Sequence, residues 1–225
     1  MQKTPVCVGI IMDGNRRWAK AHDLPTLEGH RRGLDNLIEC AKWLRDANVA
    51  HMAVFAFSAE NWKRSEEEVS YLMDLLRVFI KDRIDELKKE NVRVRFIGEL
   101  ERFSPDLQES MRTAEQETTQ NSASTLWVCL SYGGRAEIAA AAAKAAKEGM
   151  PITEASIEKN LWSAQMPDPD LIIRTSGEQR LSGFLTWKST YSELFFVDKM
   201  WPDITEDDLS RVLVEYAARD RRNGV

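Results

Sequence analysis

Short apolar segments alternate with longer amphipathic segments along this chain of 225 residues, and this alternation constrains the fold more than any other feature. The apolar segments have the length of buried strands, and the segments between them show helical periodicity. Strands are predicted at 6–12, 52–57, 92–97, 125–130, 171–173 and 194–197, and the main helices at 33–48, 65–89, 105–119, 136–148, 153–162 and from 205 onward. Such an order predicts an α/β fold in which a mostly parallel sheet carries helices on both faces.

The chain shows no sign of a boundary between domains. No Pro-, Gly- or Ser-rich linker, internal repeat or low-complexity segment divides it. We therefore expect residues 1–225 to form one domain around a central sheet of about six strands.

Composition excludes several classes of function. A formal net charge of −5 argues against a nucleic-acid partner, because binding to the phosphate backbone needs a basic face. The three cysteines form no C-x-x-C pair, which is typical of free thiols in a reducing compartment. The three histidines lack the spacing of a zinc site. No apolar run reaches the length of a membrane span, so we expect a cytoplasmic protein.

The turn after the first predicted strand has an unusual mixture of charges. Asp13 and Gly14 are followed by Asn15, Arg16 and Arg17, and a helix begins close by. A helix start that combines free backbone N–H groups with cations attracts anions, above all phosphates. Asp13 suits such a site if Mg²⁺ lies between its carboxylate and the anion, and the alternative is an ordinary capped turn.

Four predicted strands end in polar clusters, at Asp13, Ser58, Tyr132 and Arg174. In open α/β sheets, ligands bind in the crevice beyond the carboxyl ends of the strands. The clusters or their flanking residues include six arginines, namely Arg16, Arg17, Arg64, Arg135, Arg174 and Arg180. Because arginine binds two phosphate oxygens at once, the pattern predicts one pocket for a diphosphate substrate.

A series of motifs gives these residues a family context. In chain order they are MDGNRRWAK at 12–20, GH at 29–30, FSAENWKR at 57–64, YGGR at 132–135, IRTSGEQRLS at 173–182, YSEL at 191–194 and WPD at 201–203. Together they closely resemble the cis-prenyltransferase family, whose bacterial type is undecaprenyl diphosphate synthase. The resemblance covers nearly the whole chain.

The resemblance implies roles for individual residues. Asp13 and Glu193 match the acids that hold Mg²⁺, and Asn61 stands where the family has its proposed proton acceptor. The resemblance implies an allylic diphosphate site at Gly14, Asn15, Arg16, Arg17 and His30, with Trp18 and Trp62 beside the prenyl groups, and an isopentenyl diphosphate site at Arg174, Arg180 and Ser182. Further substrate-binding residues are implied at Ser58, Ala59, Glu60 and Arg64 of the second loop and at Leu181. Because an amide is a poor base, we expect Asn61 to orient a diphosphate oxygen or a water that takes the proton.

The implied reaction is repeated condensation of isopentenyl diphosphate with an allylic diphosphate such as farnesyl diphosphate. The resemblance further implies Mg²⁺ as cofactor, an undecaprenyl-type product, a homodimer, and peripheral contact with the inner face of the membrane. A C-terminal R-x-G at 222–224 resembles the segment that reaches the partner's site in related dimers.

An apolar tunnel must then accommodate the product. The stripe on the 65–89 helix and the residues of 34–44 are its expected walls, and Ser124 and Trp127 its expected floor. Thr26, Ser131 and Gly183 depart from the usual family residues, which affects substrate affinity more than reaction type.

Rival functions remain. The same fold serves short- and medium-chain cis-prenyl synthases and non-catalytic accessory subunits, although such a subunit has no need of Asp13, Arg174 and Glu193. An aspartate-nucleophile phosphatase would carry an acid where Asn15 stands. A trans-type prenyl synthase would need a D-D-x-x-D motif, which 207–211 does not supply.

Overall fold

Six parallel strands form the central sheet of the computed structural model, which describes residues 3–220. The strands are β1 (Cys7–Ile11), β2 (His51–Ser58), β3 (Val92–Ile97), β4 (Ser124–Tyr132), β5 (Leu171–Arg174) and β6 (Glu193–Phe196). Their order across the sheet is β3-β4-β2-β1-β5-β6, and every neighbouring pair is parallel. The predicted α/β fold class and the six strands are confirmed, whereas the exact extent of the domain, 1–225, stays a prediction.

Within the described residues, seven α-helices lie between the strands and an eighth follows the last strand. They are α1 (Asn15–Ala21), α2 (Thr26–Asp46), α3 (Glu66–Val78), α4 (Ile84–Lys89), α5 (Pro105–Glu117), α6 (Gly134–Lys147), α7 (Glu154–Asn160) and α8 (Glu206–Ala218). A π-helical turn at Phe79–Arg83 joins α3 to α4, so the helix predicted at 65–89 is continuous except for this turn. None of the helices in the described part of the chain is long and apolar enough to cross a membrane.

The helix predicted to begin at 33 begins seven residues earlier, at Thr26. The sequence pattern treated Gly29 as an approach to the helix, but both Gly29 and Gly33 lie inside α2. A Cβ at Gly29 would be 2.0 Å from the carbonyl oxygen of Asn15, and one at Gly33 would be 2.4 Å from the Asn15 Oδ1. The glycines therefore allow α1 and α2 to touch, and they do not mark a helix end.

The two faces of the sheet carry separate apolar cores. The larger core packs α2, α3, α4, α5 and α8 against one face, and the smaller core includes Trp127, Tyr132 and Phe184 on the other. Because side chains alternate along a strand, Leu126 and Val128 of β4 belong to the larger core and Trp127 to the smaller one. The prediction that Trp127 forms the floor of the tunnel is therefore wrong, because the helices α2 and α3 that form the tunnel walls pack on the opposite face of the sheet.

The strand order places a crevice at one point of the sheet. From β1 the chain crosses to β2 on one side, whereas from β5 it crosses to β6 on the other. In parallel sheets the ligand crevice lies where the connections diverge in this way. The topology therefore places the crevice between the carboxyl ends of β1 and β5. The chain reaches Asp13 just after β1, and β5 ends at Arg174.

Candidate active site

The carboxyl ends of the central strands open into a pocket of about 780 Å³. Its lining includes the predicted residues Asp13, Asn15, His30, Ser58, Ala59, Glu60, Asn61, Arg64, Arg135, Arg174 and Ser182. The convergence predicted from four strand ends is thus present, with one adjustment. Tyr132 itself faces the smaller core, and its place in the pocket is taken by Gly133 and Gly134.

A second pocket of about 610 Å³ adjoins the first. Its lining adds Gly14, Arg16 and Arg17 and includes Thr26. The two pockets share residues of their boundary, namely Met12, Asp13, Asn15, His30 and Arg64. Two cation-rich pockets on either side of one carboxylate have the arrangement required to hold two anionic groups close to each other.

Asp13 lies at this boundary with a carboxylate that is about one-third exposed. Its Oδ1 accepts from the Gly14 N–H at 2.7 Å, and its Oδ2 accepts from the Arg174 Nη2 at 2.9 Å. Arg17 lies 3.5 Å from Oδ1. Gly14 adopts a left-handed backbone conformation with φ 104°, which a side chain would strain. The turn therefore holds one negative charge between two cations.

Arg174 ends β5 and is almost fully buried, at 4% exposure. Besides Asp13, it donates to the Arg180 carbonyl oxygen at 2.5 Å and to the Ser182 Oγ at 2.8 Å. Its Nε is buried and has no hydrogen-bond partner within the described structure. A buried donor without a partner is costly unless a ligand oxygen can satisfy it.

The loop after Arg174 is tied to the first turn of the chain by an acid that sequence reasoning missed. Glu178 pairs with Arg17 at 3.1 Å and with Arg180 at 2.5 Å. The Arg180 side chain is exposed and lines neither of the two pockets, so the structure does not bring it into the site with Arg174 and Ser182. Leu181 packs against the smaller core, so its implied place in the substrate site is taken by its neighbour Ser182.

Glu68 is a second acid that the sequence did not reveal, since it was interpreted only as part of a helix start. Its carboxylate lies 2.8 Å from Arg64, 3.4 Å from His30 and 3.7 Å from Arg16. Burial lowers the pKa of His30, Arg64 lowers it further, and Glu68 opposes both effects. Glu68 thus acts as counter-ion to the cations of the predicted allylic site.

The residues of the second loop are held by local contacts. The Asn61 Oδ1 accepts from the Ser58 N–H at 3.0 Å, within a short 3₁₀ turn at Ala59–Lys63. Its amide oxygen is therefore already occupied, which suits an orienting role better than that of a base.

Trp18 and Trp62, the two tryptophans expected beside the prenyl group, do not line either pocket. The Trp62 Nε1 donates to the Ser131 Oγ at 2.9 Å, and its ring contacts Phe57 and Phe103. The Trp18 Nε1 donates to the Asp203 Oδ1 at 2.6 Å, and its ring stacks on His22. A motif match gave these residues a prenyl-contacting role, which their contacts in this conformation do not support.

Glu193 lies at the opposite end of its strand from the pocket. It begins β6 beside Leu171, whereas Arg174 ends β5 three residues later, a separation of about 10 Å along the strand. Its carboxylate pairs with Arg219 at 2.8 Å. Within the described chain, the structure does not bring Glu193 together with Asp13.

Mg²⁺ can be tested against the donor atoms that are present. Residues 3–220 contain no group of three or more acids, histidines or cysteines arranged to hold a metal. However, Mg²⁺ is commonly bound by one or two carboxylates together with substrate phosphates and water. The partly exposed Asp13 carboxylate at the boundary of two anion pockets fits that requirement.

An apolar cavity of about 110 Å³ extends from the pockets toward the larger core. Leu34 and Leu37 of α2, Leu76 of α3, and Val128 of β4 line it, with Trp201 at one side. Its volume is well below the roughly 300–1,000 Å³ of pockets that hold drug-sized ligands. The expected tunnel is therefore not open in this structure, although its predicted walls are in place.

The class of protein follows from the sheet, the two cation-rich pockets and the sequence match together. Residues 11–224 match the Prenyltransf family model, described as "Putative undecaprenyl diphosphate synthase". The chain belongs to this family of prenyltransferases, and the resemblance and enzyme class inferred from the motifs are confirmed.

Two curated bacterial relatives are similar to almost the entire chain. An isoprenyl transferase of Agrobacterium fabrum is 46% identical over 227 residues, which cover 98% of this chain and 92% of that protein. An isoprenyl transferase of Thermotoga maritima is 42% identical, covering 99% and 97% respectively.

Two solved structures share the fold. Lavandulyl diphosphate synthase from Lavandula x intermedia, in complex with dimethylallyl diphosphate, superposes with a TM-score of 0.93 at 33% identity and covers 99% of both chains. A probable undecaprenyl diphosphate synthase from Campylobacter jejuni superposes with a TM-score of 0.85 at 28% identity over the full length of both chains.

The segment at 222–224, which was predicted to reach a partner's site, lies outside the described residues.

Proposed function

We propose that this prenyltransferase is a Mg²⁺-dependent cis-prenyl diphosphate synthase that adds isopentenyl diphosphate repeatedly to an allylic primer. Farnesyl diphosphate is the proposed primer, and undecaprenyl diphosphate for the cell-wall lipid carrier is the proposed product. The observation that carries the proposal is the pair of adjoining cation-rich pockets that share Asp13. One pocket accommodates each diphosphate group.

The residues of each pocket have distinct tasks in this reaction. Arg16, Arg17 and His30 bind the allylic diphosphate, and their positive charge stabilises the diphosphate as it leaves. Arg174 and Ser182 bind isopentenyl diphosphate in the neighbouring pocket. The isopentenyl double bond attacks the allylic carbon, and the carbon–diphosphate bond breaks. A proton is then lost to a diphosphate oxygen or a water oriented by Asn61.

Asp13 is the residue that would hold Mg²⁺, together with oxygens of the allylic diphosphate. The bound metal supplies further neutralisation of the leaving group. The metal role of Glu193 rests on the family resemblance alone, because its carboxylate pairs with Arg219. Homodimer formation and contact with the inner face of the membrane in an otherwise cytoplasmic protein are proposed on the same basis.

The test is incubation of the purified protein with farnesyl and isopentenyl diphosphates in the presence of Mg²⁺, followed by chromatographic sizing of the products. We expect long-chain products, loss of turnover on chelation of Mg²⁺, and loss of turnover in Asp13→Ala with an unchanged circular dichroism spectrum. Asp46→Ala, which removes an exposed carboxylate at the end of α2, is the matched control and should remain active. Full activity of Asp13→Ala would overturn the role of Asp13.

A second candidate is a synthase whose products stop after the first additions. The small apolar cavity favours it, as does the similarity to lavandulyl diphosphate synthase in complex with dimethylallyl diphosphate. The same sizing experiment distinguishes the two. An accessory subunit of this fold would instead show no turnover unless a partner protein were added.

A further inference from the structure

Thr175 directly follows Arg174 and is almost completely buried, at 1% exposure. Its Oγ1 accepts from the Asp13 N–H at 2.9 Å and donates to the Asp13 carbonyl oxygen at 2.7 Å. One hydroxyl therefore bonds to both main-chain polar groups of the residue at the boundary of the two pockets. Thr175 belongs to the motif at 173–182, but its side chain lines neither of the two pockets.

The position of Thr175 in the sheet explains why a side chain is needed here. The ladder between β1 and β5 ends with the pair Ile11 and Arg174. Beyond that pair Asp13 has no partner in the β1–β5 ladder. Apart from Thr175, its N–H donates to the Ile11 carbonyl oxygen at 3.0 Å within the same segment, and its carbonyl oxygen accepts from the Trp201 N–H at 3.0 Å. The Thr175 hydroxyl thus continues the connection between the two strands after the regular ladder has stopped.

The orientation of the Asp13 carboxylate depends on this backbone. Its Oδ1 is bonded to the N–H of the next residue, Gly14, so the carboxylate turns with the main chain. Its Oδ2 meets Arg174, the residue before Thr175. A displacement of about 1 Å at a reacting group can cost on the order of 100-fold in rate.

We propose that Thr175 is a positioning residue for Asp13, whose hydroxyl fixes the main chain so that the carboxylate faces both diphosphate pockets. The inference rests on the proposed function, since it gives Asp13 its task. It extends that proposal to a residue that touches neither diphosphate.

The test uses Thr175→Val, which keeps the shape of the side chain and removes the hydroxyl, and Thr175→Ser, which keeps the hydroxyl. We expect Thr175→Val to lower kcat for prenyl transfer by about 10- to 100-fold, with a much smaller change in the KM for isopentenyl diphosphate. Thr175→Ser should recover most of the lost kcat. If Thr175 served stability alone, the two variants would have the same kcat under conditions in which both are fully folded.

Thr118 is a matched control. It is also fully buried, and its Oγ1 accepts from the Val94 N–H and donates to the Ala114 carbonyl oxygen, far along the sheet from Asp13. Thr118→Val should lower the free energy of unfolding about as much as Thr175→Val while leaving kcat unchanged. Equal losses of kcat in both variants would overturn the inference.

A binding measurement separates this inference from the proposed function. Calorimetry with inorganic pyrophosphate and Mg²⁺ should show weaker binding in Thr175→Val, and no further weakening when Thr175→Val is added to Asp13→Ala. If Asp13→Ala is inactive and Thr175→Val resembles the wild type in kcat and in pyrophosphate binding, the positioning role is wrong and the proposed function stands. If Asp13→Ala is fully active, the proposed role of Asp13 fails first.

Discussion

His30 shows how one buried residue can link ligand charge to proton binding. Its side chain is only 9% exposed and faces Glu68, with Arg64 and Arg16 nearby. Burial and the arginines lower the pKa of His30 below the usual value, which favours the neutral imidazole at a pH where a free histidine begins to charge. A diphosphate in the same pocket reverses this preference, because an anion favours the imidazolium.

We therefore expect pyrophosphate binding at about pH 6 to be accompanied by proton uptake, since the lowered pKa of His30 disfavours its protonated form before binding and the bound anion favours that form afterwards. Calorimetry in buffers of different ionisation enthalpy measures the number of protons taken up. His30→Gln should remove most of that uptake. An uptake that is the same in wild type and variant would contradict the assignment.

The lowered pKa of His30 also affects stability. The unfolded chain binds the proton more readily than the folded chain, so the folded state is favoured above the ordinary histidine pKa of about 6.5. This contribution is lost as the pH falls below that value.

Residues whose task depends on their place at a strand end could be predicted from the sequence. Asp13, Ser58 and Arg174 follow apolar runs, and parallel strands bring such ends together. Glu68, Thr175 and Glu178 could not be found in that way, because an acid in a first helical turn or a threonine after a strand has an ordinary local explanation. Their roles arise from contacts between elements distant in sequence.

At the scale of single elements, α8 depends on one buried carboxylate in its first turn. Asp208 accepts from the Thr205 N–H at 2.9 Å and from Lys199 at 2.5 Å, and it also pairs with Arg211. Burial alone would raise the pKa of Asp208, but the hydrogen bonds from Lys199 and Thr205 outweigh it and lower the pKa to about 2.

Asp208→Asn should lower the free energy of unfolding by about 2 kcal/mol, because hydrogen bonds to a charged group are lost. Asp207→Asn, one residue earlier and exposed, is the control and should change it little. In the wild type, the contribution of Asp208 is present above its ordinary pKa of about 4 and is lost as the pH falls toward 2. Urea unfolding at pH 7 and pH 3 measures both effects, and equal losses in the two variants would contradict the prediction.

The start of a helix could be predicted where the sequence contains a capping residue. The prediction was wrong where packing between helices determines the start. Ser65 and Pro105 give the starts of α3 and α5 within one residue. The start of α2 was predicted seven residues late, because Gly29 and Gly33 resemble helix breakers in a single sequence. Only the contact with Asn15 of α1 shows why glycine is required there.

At the scale of the whole molecule, the strand order is the feature that sequence could not supply. Pairing of β1 with β5 joins Ile11 to Arg174 across 163 positions of the chain, and no local pattern reports such a distant contact. The parallel sheet was predictable from the alternation of elements. The crevice between β1 and β5 was not, and it determines which of the four polar clusters form the centre of the site.

Under the proposed function, the same arrangement would determine how far a product chain can extend. The apolar cavity begins beside the shared boundary of the pockets and lies between α2, α3 and β4, with Leu76 of α3 in its wall. At about 110 Å³ it accommodates only the beginning of a long prenyl chain. If the protein makes long products as proposed, elongation requires α2 and α3 to separate or their side chains to rearrange, and the bulk of the wall residues should influence where elongation stops.

We expect Leu76→Ala to shift the products toward longer chains, because the substitution removes bulk from the cavity wall. Leu107→Ala is the matched control: it truncates another buried leucine of the same core, on α5, that does not line the cavity. Each variant should lose about 2–3 kcal/mol of unfolding free energy, so stability alone does not separate them. Chromatographic sizing does, since only a variant that opens the path between α2 and α3 should change product length. If both variants gave the wild-type product distribution, the growing chain would have to leave the site by a route other than this cavity.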